Sequence, residues 1–253
     1  VLYSNQDKDY RQPVNQYGAG LIYRPFKNVH LKLNAGDMFP RYDDLFFMGI
    51  RNRGFEVEGR LKFLSFAFIS GKISRSVDEQ RDSLFITRSG VYERTVTGFV
   101  PAIHFGNNAT TKLYYMHFED DKNSIESSTR PEENVVVGVS QMIRAHQNRI
   151  ILNFQAAASL LNRDISSGNT PTDSIVNVLA LDSDAGKWID RAKKLIPVNE
   201  YRVTNVPLAL KGNLMLNYLK NSFTLDYRYV QDGFTSFGNP YLLRDISGYS
   251  IYD

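Results

Sequence analysis

The feature that most constrains this chain is its alternation of apolar and polar side chains with period two over long stretches. In Arg149–Leu160, Ile150, Leu152, Phe154, Ala156, Ala158 and Leu160 fall on one side, and Arg149, Asn153, Gln155 and Ser159 on the other. Val29–Asp37, Gly54–Lys62, Val206–Tyr218 and Phe223–Val230 follow the same rule. Successive side chains of a strand point to opposite faces, so each segment reads as a strand with one apolar and one polar face. Gln16–Arg24, Leu64–Arg75, Tyr92–Phe105 and Thr111–Glu119 alternate less cleanly, and Asn134–Ile143 is almost continuously apolar. About ten strands result. Aromatic residues at 13%, mostly Tyr and Phe, suit such a pleated surface.

The connections are as informative as the strands. Short ones fall at Pro25–Asn28, Lys62–Leu64, Gly106–Thr110, Ala145–Asn148 and Leu219–Ser222. Between them lie long loops, Met38–Arg53, Ser76–Val91, Asp120–Glu133 and Leu161–Asn205. Strict alternation of short and long places every short turn at one end of an antiparallel meander. Within the longest loop, Ser183–Ile196 reads as a short helix ended by Pro197. Its Trp188, Ile189 and Leu195 are candidates for a constriction or a partner site. No linker or low-complexity tract interrupts the chain, so residues 1–253 read as one domain with a helix-containing loop at 161–205. A chain opening on Val1 without Met reads as a mature form or a segment of a longer protein.

Two architectures alternate in this way: a β-sandwich with a dry core, and a barrel in a membrane. The better strands run to about 9–12 residues, close to the ~9–11 a transmembrane strand needs. Short turns at one end and long loops at the other are the pattern of outer-membrane barrels. The polar faces carry full charges in mid-strand, tolerable in a lumen, whereas the opposite faces are nearly charge-free. Tyr17, Tyr23, Phe63, Phe105, Phe118, Tyr218 and Phe223 lie near strand ends, where interfacial aromatic girdles form. No apolar run approaches the ~18 residues of a transmembrane helix.

Asn34–Gly59, Arg130–Ser140 and Tyr227–Asp245 resemble segments of large, poorly characterised outer-membrane β-barrel proteins of Bacteroidetes-type bacteria. The spacing from Gly36-Asp37 through Pro40, Leu45 and Gly49 to Arg53-Gly54 is the most specific piece. The resemblance implies an outer-membrane location in a Gram-negative envelope, and members of that group can be much longer than this chain. It brings no catalytic residues.

Pattern and resemblance converge on an all-β, antiparallel, up-and-down transmembrane β-barrel, or a ten-strand part of one. The expected role is that of a porin-like passive channel or a scaffold for export or surface assembly. Its partners would be outer-membrane lipid and other envelope or secreted proteins. Lumen-lining candidates are Lys32, Glu56, Glu58, Arg60, Arg149, Lys211, Asp226 and Arg228. Mixed charge there points to a paired, narrow interior with little ion selectivity. The alternative is a soluble or surface-attached β-sandwich binding glycans or proteins.

Other chemistry has little support. Net charge of +3 with interspersed signs argues against a nucleic-acid partner. Without cysteine there is no thiolate site, and His30, His104, His117 and His146 lack metal-ligand spacing, so no metal or other cofactor is expected. Asp182–Gly186 resembles the start of a calcium loop but puts Gly186 at position 5 and Lys193 at position 12, which fits a helix cap better. Glu56 and Glu58 share one strand face, yet Arg60 and Lys62 are placed to neutralise them, so an ion-pair ladder is expected rather than an acid–base pair. The chain reads as no enzyme; an outer-membrane lipid hydrolase would need a Ser or Thr nucleophile with His in reach.

Overall fold

The computed structural model describes residues 16–26, 28–82, 85–166, 190, 206–218 and 220–253. Eleven strands form one antiparallel sheet in strict chain order. They are β1 (Gly18–Phe26), β2 (Val29–Met38), β5 (Asn52–Leu61), β6 (Leu64–Ser74), β9 (Glu93–Phe105), β10 (Ala109–Asp121), β11 (Glu133–Ala145), β12 (Ile150–Asn162), β13 (Leu208–Tyr218), β14 (Asn221–Val230) and β15 (Ile246–Tyr252). Two small hairpins sit in the long connections: β3 (Arg41–Asp43) with β4 (Phe47–Met48), and β7 (Gln80–Asp82) with β8 (Phe85–Arg88). The ten expected strands are all present within a few residues of their expected ends. The eleventh, β15, was not legible, because "ISGYSIY" alternates only weakly.

Register fixes which residues share a face. Lys32 pairs with Glu58, Glu58 with Ala67, Phe68 with Phe99, Tyr115 with Val137, and Val137 with Ala158. One face therefore carries Leu31, Leu33, Phe55, Val57, Phe66, Phe68, Phe99, Ile103, Leu113, Val139, Leu152, Phe154, Leu210, Leu214, Leu225, Tyr227 and Ile251. No charge interrupts it between its borders. Much of it is bare: Phe105 is 58% exposed, Leu113 54% and Phe154 42%. Asp37, Arg53, Lys72, Glu93, Glu119 and Glu133 mark its long-loop border.

The other face holds the core. Ile69, Val96, Met116, Phe118, Val136, Ala209 and Val230 are buried there beneath Leu45, Phe46 and Phe47 of the β3–β4 hairpin and Phe234 and Leu242 of the β14–β15 connection. Phe118 is thus no girdle residue: it lies in this core, stacked on Phe47 with ring centroids 6.2 Å apart.

The sheet curves toward this covered face. Tyr42 bonds Glu56 on β5, while Asp44 bonds Lys211 on β13 and pairs with Arg228 on β14. Seven strand intervals separate β5 from β14, about 34 Å if flat. Tyr42 and Asp44 are two residues apart and span only ~7 Å of backbone. Their side chains can reach both strands only if the sheet wraps around the hairpin.

The sheet is open among the described residues, with β1 and β15 as its edges. An odd number of alternating strands leaves those two edges running in the same direction. They cannot close on each other as an antiparallel pair. The call for a helix at Ser183–Ile196 lies outside the described residues except for Asp190, which is helical and exposed. Trp188, Ile189 and Leu195 lie outside them altogether.

Candidate functional site: the hairpin-covered concave face

The hairpin at Arg41–Met48 is a plug laid on the concave face. Its apolar part, Leu45-Phe46-Phe47, is fully buried. Phe46 stacks on Tyr114 with centroids 4.0 Å apart and planes 5° from parallel. Gly138 lies beneath it; a Cβ there would stand 2.6 Å from the Phe46 ring and 2.3 Å from the Ala156 carbonyl. The strand glycine therefore permits close approach of the plug.

The polar part of the hairpin points to several strands. Tyr42 Oη donates to Glu56 Oε1 at 2.6 Å, and Gln155 Nε2 donates to Asp43 Oδ2. Lys211 Nζ donates to Asp44 Oδ1 at 2.6 Å, with Arg228 at 3.5 Å from its other oxygen. Burial, then the adjacent Asp44, pushes the Asp43 carboxyl up to about 6. For Asp44 burial acts upward, but the hydrogen bonds from Asp43 and Lys211 and the charges of Lys211 and Arg228 hold it below its ordinary value. Burial, then the Glu56 carboxylate, raises the Tyr42 hydroxyl, so it stays protonated and donates.

A second loop locks the plug in place. The Met48 amide donates to the Gly238 carbonyl at 2.9 Å. Ser236 Oγ donates to the Phe46 carbonyl and Asn239 Nδ2 to the Asp44 carbonyl, both at 2.7 Å. That loop is fixed to the wall by buried Asn134. Its Nδ2 donates to the Thr235 carbonyl at 3.1 Å and its Oδ1 accepts from the Phe237 amide at 3.0 Å.

The three segments that carry the resemblance thus meet in space: the first holds the plug, the second Asn134, the third the locking loop. The Gly36-Asp37 to Arg53-Gly54 spacing also has a physical basis. Gly36 pairs with Gly54 and Asp37 with Arg53 across β2 and β5. Asp37 binds both Arg53, at 2.9 Å, and Arg51, at 2.8 Å. Gly36 has φ of +103°, and a Cβ on it would strike the Tyr17 carbonyl at 2.0 Å.

Lys32, Glu56, Glu58, Arg60, Lys211, Asp226 and Arg228 all project to the concave face by register. Lys32 pairs with Glu58 at 2.6 Å, and Asn213 bridges Asp226, at 2.8 Å, to Asn153, at 3.1 Å. Arg149 does not join them. It ends the β11–β12 turn, its guanidinium 5.9 Å from the centre of the Tyr218 ring. The expected neutralisation of Glu56 and Glu58 by Arg60 and Lys62 is also corrected. Asn34 and Tyr42 hold Glu56, Lys32 holds Glu58, and Lys62 sits in a turn with φ of +33°.

Sequence reasoning missed Tyr42, Asp43, Asp44, Phe46, Asn134 and Asn239. "DDLFF" was the available signal, since three consecutive large apolar residues are unusual in an exposed loop. A cavity of about 670 Å³ remains beside the plug, lined by Lys32, Glu56, Glu58, Arg60, His104 and Lys112 among others. The histidines are dispersed: His104 bonds Ser65 and Thr110, His117 pairs with Glu133, and His146 bonds Tyr218. No group of three His, Cys, Asp or Glu suited to a metal occurs among the described residues. No known protein family, curated protein or solved structure matches the chain.

Proposed function

We propose that these strands form part of the wall of an outer-membrane β-barrel, with the bare face toward lipid and the β3–β4 hairpin folded into the lumen as a plug. The observation that carries this reading is the charge-free apolar surface running across all eleven strands, opposite a face that carries half-buried ion pairs. Exposed apolar surface of that extent is unfavourable in water and favourable against hydrocarbon. Its dimensions agree. The apolar row Ile150–Leu160 of β12 makes ten residue steps, about 33 Å, which at the usual tilt of roughly 35–45° crosses about 23–27 Å of bilayer.

Antiparallel closure requires a further odd number of strands beyond the eleven, so the wall belongs to a larger barrel. Inside it the plug covers much of the concave face and leaves a cavity lined by charged and apolar side chains alike. That arrangement favours a gated passage or a scaffold for export over an open pore. The pairing of Asp44 with Lys211 and Arg228 would be the contact to break on opening.

Leu113→Arg tests the lipid face directly. Leu113 lies in mid-strand on the bare surface. Against a bilayer midplane the substitution costs about 2–4 kcal/mol, measured by folding into vesicles. On a water-exposed surface it changes stability by no more than ~0.5 kcal/mol, and that outcome would remove the lipid reading.

A further inference from the structure

The cavity beside the plug is electrically lopsided. At its plug end Glu56 accepts from Tyr42 and Asn34, and Glu58 is held by Lys32. Toward the short turns it is lined by Arg60, Lys112 and His104. Neither Arg60 nor Lys112 makes an ion pair or hydrogen bond with another described residue. The nearest acid on this face, Glu58, is two residues up the strand from Arg60, about 7 Å away, and is engaged by Lys32 at 2.6 Å.

The absence of acids is systematic. The chain segments that build this end, 24–30, 60–65 and 103–112, contain no Asp or Glu. One hydroxyl, that of Ser65, stands in the row between the two cations. Arg60 pairs in register with Ser65, Ser65 with Ala102, and Ala102 with Lys112. Ser65 Oγ bonds His104 Nε2 at 2.8 Å, and His104 Nδ1 bonds Thr110 Oγ1 at 3.1 Å. Curvature of the sheet brings the side chains on this face together over that row.

We propose that this end of the cavity binds a phosphate monoester, with Arg60 and Lys112 gripping the phosphoryl oxygens from two sides. A guanidinium fork and an ammonium supply several charge-assisted donors to a tetrahedral dianion. A volume of about 670 Å³ leaves room for the organic group that carries the phosphate. A soluble phosphate ester and a lipid headgroup share this chemistry. The site belongs to the concave face and does not depend on what the bare face meets.

The test is calorimetric titration of the purified, folded protein in detergent at fixed ionic strength and pH 7.5. The probes are glycerol 3-phosphate and micellar short-chain phosphatidic acid. Saturable binding of either is expected, weakened at least tenfold in R60Q/K112Q and unchanged in K72Q, whose ion pair with Glu93 lies at the long-loop border. Retention of binding within a few-fold in Arg60→Lys shows that charge carries it. Binding of the lipid alone identifies a headgroup as the source; binding of both identifies a soluble ester site. Circular dichroism of each variant confirms the strand signal. The proposal fails if neither probe binds saturably, or if R60Q/K112Q retains its strand signal and binds as the parent does. Such a failure leaves the membrane reading intact, because insertion is measured separately.

Discussion

Replacing Phe46 by alanine should release the plug without unfolding the wall. Phe46 is fully buried and stacked on Tyr114, yet the strands beneath it keep their own ladders. A buried Phe ring removes about 150 Å² from water, worth about 4 kcal/mol at ~25 cal/mol per Å². Loss of the stacked contact adds up to ~1.5 kcal/mol, and partial collapse of the cavity subtracts, which returns the ~3–5 kcal/mol usual for Phe→Ala in a core. The readout is hydrogen exchange at the Met48 amide, which donates to Gly238 across the plug–lock contact. If the hairpin opens as a local unit, exchange there accelerates by roughly 150- to 5,000-fold, while amides within β10 and β11 keep their protection. Phe85→Ala, in the exposed β7–β8 hairpin, is the control and should change nothing beyond its own loop. Acceleration of less than about fivefold at Met48 in F46A, on the same scale of tenfold per ~1.4 kcal/mol, would refute the claim that Phe46 anchors the plug.

Further outcomes follow from the same geometry. Asp43 titrates near 6 because of burial and then Asp44, so its folded value lies above its unfolded one. Its contribution to plug closure is therefore full below about pH 4 and is lost as pH rises through about 6. Met48 exchange, corrected for intrinsic rate, should rise by up to roughly 25-fold between pH 4.5 and 8, and Asp43→Asn should flatten the profile. A parent profile already flat would discard the buried-carboxyl account. Gly138→Ala should lift the plug, since its Cβ meets both the Phe46 ring and the Ala156 carbonyl; a destabilisation of about 1–3 kcal/mol is expected from overpacking, read by denaturant titration. Combining it with F46A relieves only the ring contact, so the double variant should be less than additive but not neutral. Arg53→Gln should loosen the β2–β5 border through loss of the Asp37 pair, and added salt should narrow the difference from the parent, as measured by melting in detergent.

Much of this protein was legible in its sequence because strand alternation is a local property. Leu152 and Phe154 fall on one face and Asn153 and Gln155 on the other whatever else the chain does, since pleating assigns alternate side chains to opposite sides. The same logic placed Lys32, Glu56, Glu58, Arg60, Lys211, Asp226 and Arg228 together on one face. Arg149 escaped because alternation does not say where a turn begins. Phe118 was misassigned for a related reason: nearness to a strand end does not say which face a ring occupies.

The plug belonged to tertiary structure alone. Tyr42, Asp43 and Asp44 are polar residues in a long connection, with no periodicity to mark them. Their meaning comes from Glu56, Gln155 and Lys211, up to 167 positions away in the chain. The partners of the charged face were equally hidden. Glu58 chose Lys32 across a strand pair rather than Arg60 two residues along its own strand, because register sets the two side chains in direct contact. The sequence by itself determined the strands, their faces and the ends at which the long loops gather. Only the tertiary structure decided the eleventh strand, the open edges, the curvature and the inward fold of the hairpin, because each depends on contacts between residues that local pattern cannot bring together.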